Sequence, residues 1–355
     1  MKPVVMILAG GTGGHVFPAL TVAEQWRARG LVVEWIGTAA GIEARLVPAV
    51  GITLHTLPVR GLRGKGWRER LLALTGLLLA TYRAWRLMRR ESVCLALGMG
   101  GYASAPAGLA ARLARVPLVI HEQNAAPGLS NRLLAHLASR ILTGFPQVLP
   151  SRRTVYVGNP VRPQILALPS PQQRQRIRAE LHLLVLGGSQ GAEALNVLVP
   201  QALARLGEEQ ALVVLHQCGE RHVAATEQRY GALAGRVEVR GFIEDMAAAY
   251  ADADLVICRA GALTIAELAA VGVASLLIPL PQAVDDHQRR NAEFLSQAGA
   301  AVLCPQAGLD GDALLQVLRS LCVAGRLQAM AVQARQLARP QATQAVIEQC
   351  DEVMR

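Results

Sequence analysis

Two stretches of the chain repeat one pattern. Val5-Met-Ile-Leu-Ala-Gly-Gly-Thr-Gly-Gly14 and Leu183-Leu-Val-Leu-Gly-Gly-Ser-Gln-Gly191 each run an apolar strand into a glycine turn with one hydroxyl, and a helical pattern follows. The turns start 177 residues apart, half of a 355-residue chain. Short apolar runs alternate with helical patterns on both sides of the repeat. In the first half the expected strands are Val4–Leu8, Val32–Ile36, Ile52–Thr56, Val93–Leu97 and Leu118–His121. In the second they are Leu181–Leu186, Ala211–His216, Val237–Arg240, Asp254–Cys258 and Ser275–Pro279. Such alternation folds into parallel sheets with helices on both faces. The expectation is α/β, with two Rossmann-like domains facing a cleft, at 1–160 and 161–338, and a C-terminal helix at 339–355 that packs on either domain.

Charge separates the halves. Residues 1–160 hold 19 Lys+Arg and 6 acids, whereas 161–355 hold 17 and 20, so a net +10 chain has one strongly basic half. A basic half suits a polyanionic partner: phosphate, anionic lipid or nucleic acid. Aromatic residues are only 4% and no nucleic-acid motif occurs, which disfavours nucleic acid. Hydrophobic content of 52% excludes intrinsic disorder. The six cysteines include no CxxC pair, so neither a zinc site nor a disulfide framework is expected. No signal peptide is legible at the start, and Ser92–Ala111 and Leu268–Val284 carry too many Gly and Pro to span a bilayer.

Three glycine segments follow strands: Gly10–Gly14, Gly98–Gly101 and Gly187–Gly191. A helix that starts behind such a turn offers free N–H groups and a positive dipole end to phosphate. The dinucleotide fingerprint fits badly, because Val16 stands where its third glycine belongs and Glu34 lies inside a strand. Gly61-Leu-Arg-Gly-Lys-Gly66 lacks the hydroxyl residue a P-loop needs after its lysine. A nucleotide-diphosphate sugar fits better.

Polar residues at apolar strand ends are the next candidates. His15 starts the first helix, and a helix N-terminus disfavours imidazolium, leaving a neutral base. His121-Glu-Gln-Asn124 ends a strand, where open parallel sheets bind ligands. In Cys258–Glu267 a helix starts near Ala262–Thr264. Glu267 is placed to accept ribose hydroxyls, although Thr264 with Glu267 also spells a capping box. Asp252-Ala-Asp254, Asp285-Asp-His287 and Asp310-Gly-Asp312 read as loop or helix-start residues rather than metal ligands.

Trp67–Arg90 is helical and amphipathic. Leu71, Leu74, Leu78, Tyr82 and Trp85 line its apolar side, and arginines, Arg83 and Arg86 among them, flank it. Leucine and aromatic residues edged by arginine suit an anionic membrane surface; a core-facing helix with a solvated arginine face is the alternative.

Gly10-Gly-Thr-Gly-Gly-His-Val-Phe-Pro18, Gly61–Gly66, Gly98-Met-Gly-Gly-Tyr102, His121–Asn124, Gly158-Asn-Pro-Val-Arg162, Gly187-Gly-Ser-Gln-Gly-Ala192 and Arg259–Glu267 occur in that order. Together they resemble the MurG family of bacterial peptidoglycan N-acetylglucosaminyltransferases over nearly the whole chain. The resemblance implies the glycosyltransferase-B fold and transfer of GlcNAc from UDP-GlcNAc to the C4 hydroxyl of undecaprenyl-diphospho-MurNAc-pentapeptide, with inversion. It implies no cofactor and no catalytic metal. It implies a peripheral place on the cytoplasmic face of the bacterial inner membrane, and a part in cell-wall synthesis, cell shape and division beside other proteins of those processes. By motif, Thr12, Gly13 and Gly14 would meet substrate phosphates and Asn124 the donor sugar. Arg162, Ser189 and Gln190 would meet the donor's diphosphate or sugar, and Ile243 the uracil. Ala262, Leu263, Thr264, Ile265 and Ala266 would form the diphosphate-binding helix start. Glu267 would take the ribose and Gln288 the sugar hydroxyls. Single displacement needs a base: His15 is the first choice and Glu122 the second. Rival readings are a UDP-GlcNAc 2-epimerase on the same fold, a non-catalytic scaffold and a dinucleotide reductase.

Overall fold

The computed structural model describes residues 3–59, 67–174, 179–188, 191–281, 283 and 286–355, with residues 67–74, 232 and 234 described by secondary structure alone. The chain divides into two compact units, Met1–Arg162 with Pro340–Arg355, and Pro163–Arg339.

The first unit is a seven-stranded, all-parallel sheet: β1 (Val4–Ala9), β2 (Val32–Gly37), β3 (Thr53–Thr56), β4 (Val93–Gly100), β5 (Leu118–Glu122), β6 (Arg140–Thr143) and β7 (Thr154–Tyr156), in the order β3-β2-β1-β4-β5-β6-β7. Side chains along a strand alternate faces, so β1 feeds two cores. Val5 and Ile7 pack with Ala19, Ala23 and Trp26 of helix Gly13–Ala28 and with Val346 and Ile347 of the last helix, Ala342–Met354. Met6 and Leu8 pack on the other face with Ala80 and Ala84 of helix Trp67–Arg90 and Ala107 and Ala110 of helix Ser104–Leu113. Both faces being covered, the strands read as unbroken apolar runs.

The second unit is a six-stranded parallel sheet: β8 (Leu181–Leu186), β9 (Leu212–Gln217), β10 (Val237–Arg240), β11 (Leu255–Cys258), β12 (Ala274–Leu277) and β13 (Ala301–Leu303), in the order β10-β9-β8-β11-β12-β13. In each unit the strand order reverses beside the strand that carries the repeated pattern: between β1 and β4, and between β8 and β11. The carboxyl side of such a switch point is where open α/β sheets hold ligands.

Several expectations need correction. Strands β6, β7 and β13 were not anticipated; each has only three or four residues, too few to show a period. The second glycine segment is mostly strand, since β4 continues through Gly98 and Gly100. Helix Ala262–Val271 begins behind Gly261, so Thr264 lies inside its first turn and is not a cap. Asp310 caps its helix through the Ala313 N–H at 2.8 Å, whereas Asp286 holds the N-cap position without a capping bond, its carboxylate 4.0 Å from Arg289. Asp252 and Asp254 both engage His182: the Asp252 carboxylate meets its Nδ1 at 2.8 Å, and the Asp254 carboxylate accepts its backbone N–H at 2.9 Å. That places the DxD sequence at the amino ends of β8 and β11, away from the switch point.

Candidate active site

At the β1/β4 switch point two glycine segments lie backbone against backbone. The Gly10 N–H donates to the Gly100 carbonyl at 3.3 Å. Gly101 has φ of +93°, and a Cβ there would strike the Gly10 carbonyl, so only glycine fits. The buried Ser104 hydroxyl lies 2.7 Å from both the Leu8 and Gly100 carbonyls and ties the two strand ends together. Beneath the turn sits Glu43, fully buried. Its carboxylate accepts the Gly11 N–H at 2.9 Å, the Thr38 N–H at 2.9 Å and the Thr38 hydroxyl at 2.7 Å. A buried carboxylate satisfied by donors in this way fixes the turn that precedes Thr12. Thr12 is the N-cap of helix Gly13–Ala28, whose first turn carries no acidic residue to compete with an anionic ligand.

His15 lies in that first turn, and its Nδ1 is 3.1 Å from Gln123 Oε1. The β5 end around it is closely bonded. Glu122 is 2% exposed. Its Oε1 accepts from Asn124 N at 2.9 Å and Asn124 Nδ2 at 3.3 Å. Its Oε2 accepts from Gly128 N at 3.1 Å and Asn131 Nδ2 at 2.9 Å. His121 is fully buried and its Nε2 faces the Gly158 carbonyl at 2.9 Å. Burial lowers its pKa to about 4, so it is neutral at physiological pH, with Nε2–H as the donor. Asn159 donates to the Gln123 carbonyl at 3.0 Å. Arg162 also belongs to this unit, and its guanidinium carbon lies 5.7 Å from the centre of the Phe17 ring.

At the β8/β11 switch point helix Ala262–Val271 starts behind an extended Gly261. The first N–H groups of a helix have no intrahelical partner and point at a potential anion. The loop is clamped from beneath. Arg259 donates to the Ile278 carbonyl at 2.9 Å and to Gln306 Oε1 at 2.7 Å, and Asn291 donates to the Ala260 carbonyl at 3.1 Å. Glu267 is 4% exposed and accepts the Tyr250 hydroxyl at 3.1 Å. Ile265 and Ile243 have buried side chains, while Leu263, Thr264 and Ala266 are half-buried. Gln288 accepts the Leu280 N–H at 3.0 Å. Behind the other glycine turn, Asn196, His216 and Tyr230 form a buried chain: His216 lies 2.8 Å from the Tyr230 hydroxyl and 3.1 Å from Asn196 Oδ1. Ser189, Gln190 and Gly61–Gly66 lie outside the described residues.

The structure thus brings Thr12, Gly13, Gly14, His15, Glu122 and Asn124 to one switch point, and Ala262–Glu267 to the other. Glu34 lies inside β2, as expected when the dinucleotide fingerprint was set aside, and bonds His55 at 2.8 Å across β2 and β3. Glu43, Gln123, Tyr250 and Asn291 were not assigned roles from sequence. Tyr250 stood out as a polar-tipped residue in an alanine run, whereas Gln123 and Asn291 sit among other polar residues, and nothing in the sequence names the partner of any of the four.

On helix Trp67–Arg90, Ala80, Ala84 and Met88 face the core. Leu78, Leu79 and Tyr82 are exposed, at 62%, 44% and 54%. Arg83 and Arg86 are also exposed, Trp85 is half-buried and stacked on Tyr82 at 6.0 Å, and Arg89 covers Trp85 at 5.8 Å. The side chains of Leu71 and Leu74 lie outside the described residues. Among the described residues no helix is long and apolar enough to cross a membrane.

Two parallel α/β units, each with a helix start at its switch point, define the architecture of nucleotide-sugar glycosyltransferases of the B type. The N-terminal domain of glycosyltransferase family 28 matches residues 5–143, and its C-terminal domain matches residues 182–346. The UDP-N-acetylglucosamine–N-acetylmuramyl-(pentapeptide) pyrophosphoryl-undecaprenol N-acetylglucosamine transferase of Alkalilimnicola ehrlichii is 54% identical over 99% of both chains. Its counterpart in Stutzerimonas stutzeri is 52% identical over 98% of both. A crystal structure of MurG from Acinetobacter baumannii superposes with a TM-score of 0.86 at 42% identity, covering 99% of this chain and 100% of that one. The chain belongs to the MurG family within glycosyltransferase family 28.

Proposed function

We propose that this chain moves N-acetylglucosamine from UDP-N-acetylglucosamine to the C4 hydroxyl of undecaprenyl-diphospho-N-acetylmuramoyl-pentapeptide, with inversion at the anomeric carbon, as a step of peptidoglycan synthesis. The observation that carries the reading is the end-to-end match, at 54% identity, to a transferase of that name. It favours a transferase over an epimerase of the same fold.

In this reading the first unit holds the acceptor and the base, and the second holds the donor. His15 Nε2 takes the proton of the acceptor hydroxyl as that oxygen attacks C1 of the donor sugar. The bond from C1 to the diphosphate oxygen breaks, and UDP leaves with the electron pair. His15 is preferred to Glu122 on geometry. A carboxylate offers about four lone-pair sites, and those of Glu122 face four N–H donors. Charge that develops on the leaving diphosphate is stabilised by N–H groups at the start of helix Ala262–Val271, with Glu267 on the ribose.

Leu78, Leu79 and Tyr82, edged by Arg83, Arg86 and Arg89, support peripheral binding to the anionic cytoplasmic leaflet, where the lipid acceptor resides.

The test is UDP release from UDP-N-acetylglucosamine with and without a short-chain analogue of the lipid acceptor. The reading expects release that depends on the acceptor and yields a β1,4-linked disaccharide lipid. UDP and free sugar from the donor alone, with no effect of acceptor, would overturn it in favour of a hydrolase or epimerase.

A further inference from the structure

We propose that Gln123 is the positioning residue that fixes the tautomer of His15. The proposal rests on the reading of His15 as the base. The side-chain oxygen of Gln123 lies 3.1 Å from His15 Nδ1. An amide oxygen only accepts, and a neutral imidazole has one N–H donor and one lone-pair nitrogen. With that oxygen toward the ring, Nδ1 carries the proton and Nε2 carries the lone pair.

Two further features set where the ring and Gln123 sit. Gly100 has φ of +98°, and a Cβ there would sit 2.7 Å from His15 Nδ1, so the ring's Nδ1 edge rests on bare backbone. Gln123 is itself 1% exposed at the end of β5, and its backbone carbonyl accepts Asn159 Nδ2 at 3.0 Å. The opposite arrangement would turn the Gln123 amide and offer its NH₂ to Nδ1. His15 would then present Nε2–H, a donor that cannot take a proton from an acceptor hydroxyl. Substrate-independent orientation of a base by a second side chain is the logic of nucleophile–base–orienter triads, here with a neutral orienter. Among the described residues, the titratable group that interacts with His15 is His121 on β5, and Glu122 follows it on the same strand.

The experiment uses the full chain labelled with ¹⁵N-histidine, with His15→Gln to assign the His15 signals. Two-bond ¹H–¹⁵N correlation above pH 8 should show the Nδ1–H tautomer for His15 in the wild type and a mixture in Gln123→Met. In kinetics, Gln123→Met should lower kcat about ten- to a hundredfold, part of the ~10²–10⁴ a positioned base supplies. Its KM for UDP-N-acetylglucosamine should stay within about twofold. Gln123→Glu keeps an acceptor facing Nδ1, so it should retain kcat. Its added negative charge favours imidazolium, so the acid limb of the pH profile should move to higher pH. An Nε2–H tautomer in the wild type overturns the proposal, as does a Gln123→Met enzyme with unchanged kcat and pH profile. Wild-type turnover in His15→Ala would instead remove the base reading, while the tautomer signal still reports on Gln123.

Discussion

The Glu43 carboxylate accepts the Gly11 N–H at 2.9 Å, joining residues 32 positions apart in sequence. Two Thr38 donors complete its shell, and the space above it is left open by Gly10, where a Cβ would collide with its oxygen. The turn that leads to Thr12 and His15 therefore depends on one buried charge. Glu43→Gln turns an NH₂ group toward N–H donors and leaves at least one unpaired. The expected loss is about 1–3 kcal/mol, a Tm drop of roughly 2–10 °C for a domain of this size. Calorimetry checks the stability. The kcat of the folded fraction should fall as well, because His15 rides on the same turn.

Glu122 and His15 should separate in the same assays. Glu122→Gln sets an amide NH₂ against N–H donors from Asn124, Gly128 and Asn131, so it should destabilise the fold and raise the donor KM. His15→Ala should keep the Tm and donor KM but lower kcat by about 10²–10⁴. A Glu122→Gln enzyme with normal Tm and KM, a collapsed kcat and a flattened acid limb would make Glu122 the base.

Much of this site was legible before the structure, and the reasons are local. The β1 and β8 strands are long enough to show as apolar runs, and glycines mark their ends. Helix Ala262–Val271 and helix Trp67–Arg90 have the bounds read from sequence. What could not be read is what lies between distant residues. Nothing in Gly41-Ile-Glu43 announces a partner at Gly11, and Gln123 stood in a run of four polar residues with no sign of which one faces His15. Gly98–Gly101 was read as a turn because glycine usually breaks strands. Here bare backbone is needed at Gly100, the last residue of β4, for His15 to approach, and at Gly101 just beyond it for Gly10. The Leu–Tyr strip of helix Trp67–Arg90 was ambiguous between core and surface. It took Ala80, Ala84 and Met88 filling the core side to show that Leu78, Leu79 and Tyr82 face outward, while Trp85 packs partly against the core.

Tyr250 and Glu267 give a test on the donor side. The Tyr250 hydroxyl donates to Glu267 Oε2 at 3.1 Å, and Tyr250 is fully buried. If Glu267 takes the ribose, Tyr250→Phe loosens it without touching the substrate. One hydrogen bond is worth ~0.5–2 kcal/mol, so the KM for UDP-N-acetylglucosamine should rise about two- to thirtyfold with kcat nearly unchanged. A fall in kcat at constant KM would place Glu267 in the chemical step instead.

Buried neutral histidines make acid stability a final test. Burial first, opposed by the bond to the Gly158 carbonyl, lowers the pKa of His121 from 6.5 to about 4. A depressed histidine pKa means that the unfolded chain binds the proton more readily than the native one. Stability therefore falls as pH drops from 6.5 toward 4, and the loss levels off below 4. Between pH 7.5 and 5.0 this one group removes about 2 kcal/mol from the first unit. Burial lowers the pKa of His216 in the second unit to about 3, with the same sign. The two units can be read separately, because all four tryptophans, Trp26, Trp35, Trp67 and Trp85, belong to the first. Urea unfolding followed by tryptophan fluorescence should show the midpoint falling as pH drops over that window. The slope should shrink in His121→Asn and persist in His216→Asn. An equal slope in wild type and His121→Asn would mean that His121 is not the group that titrates.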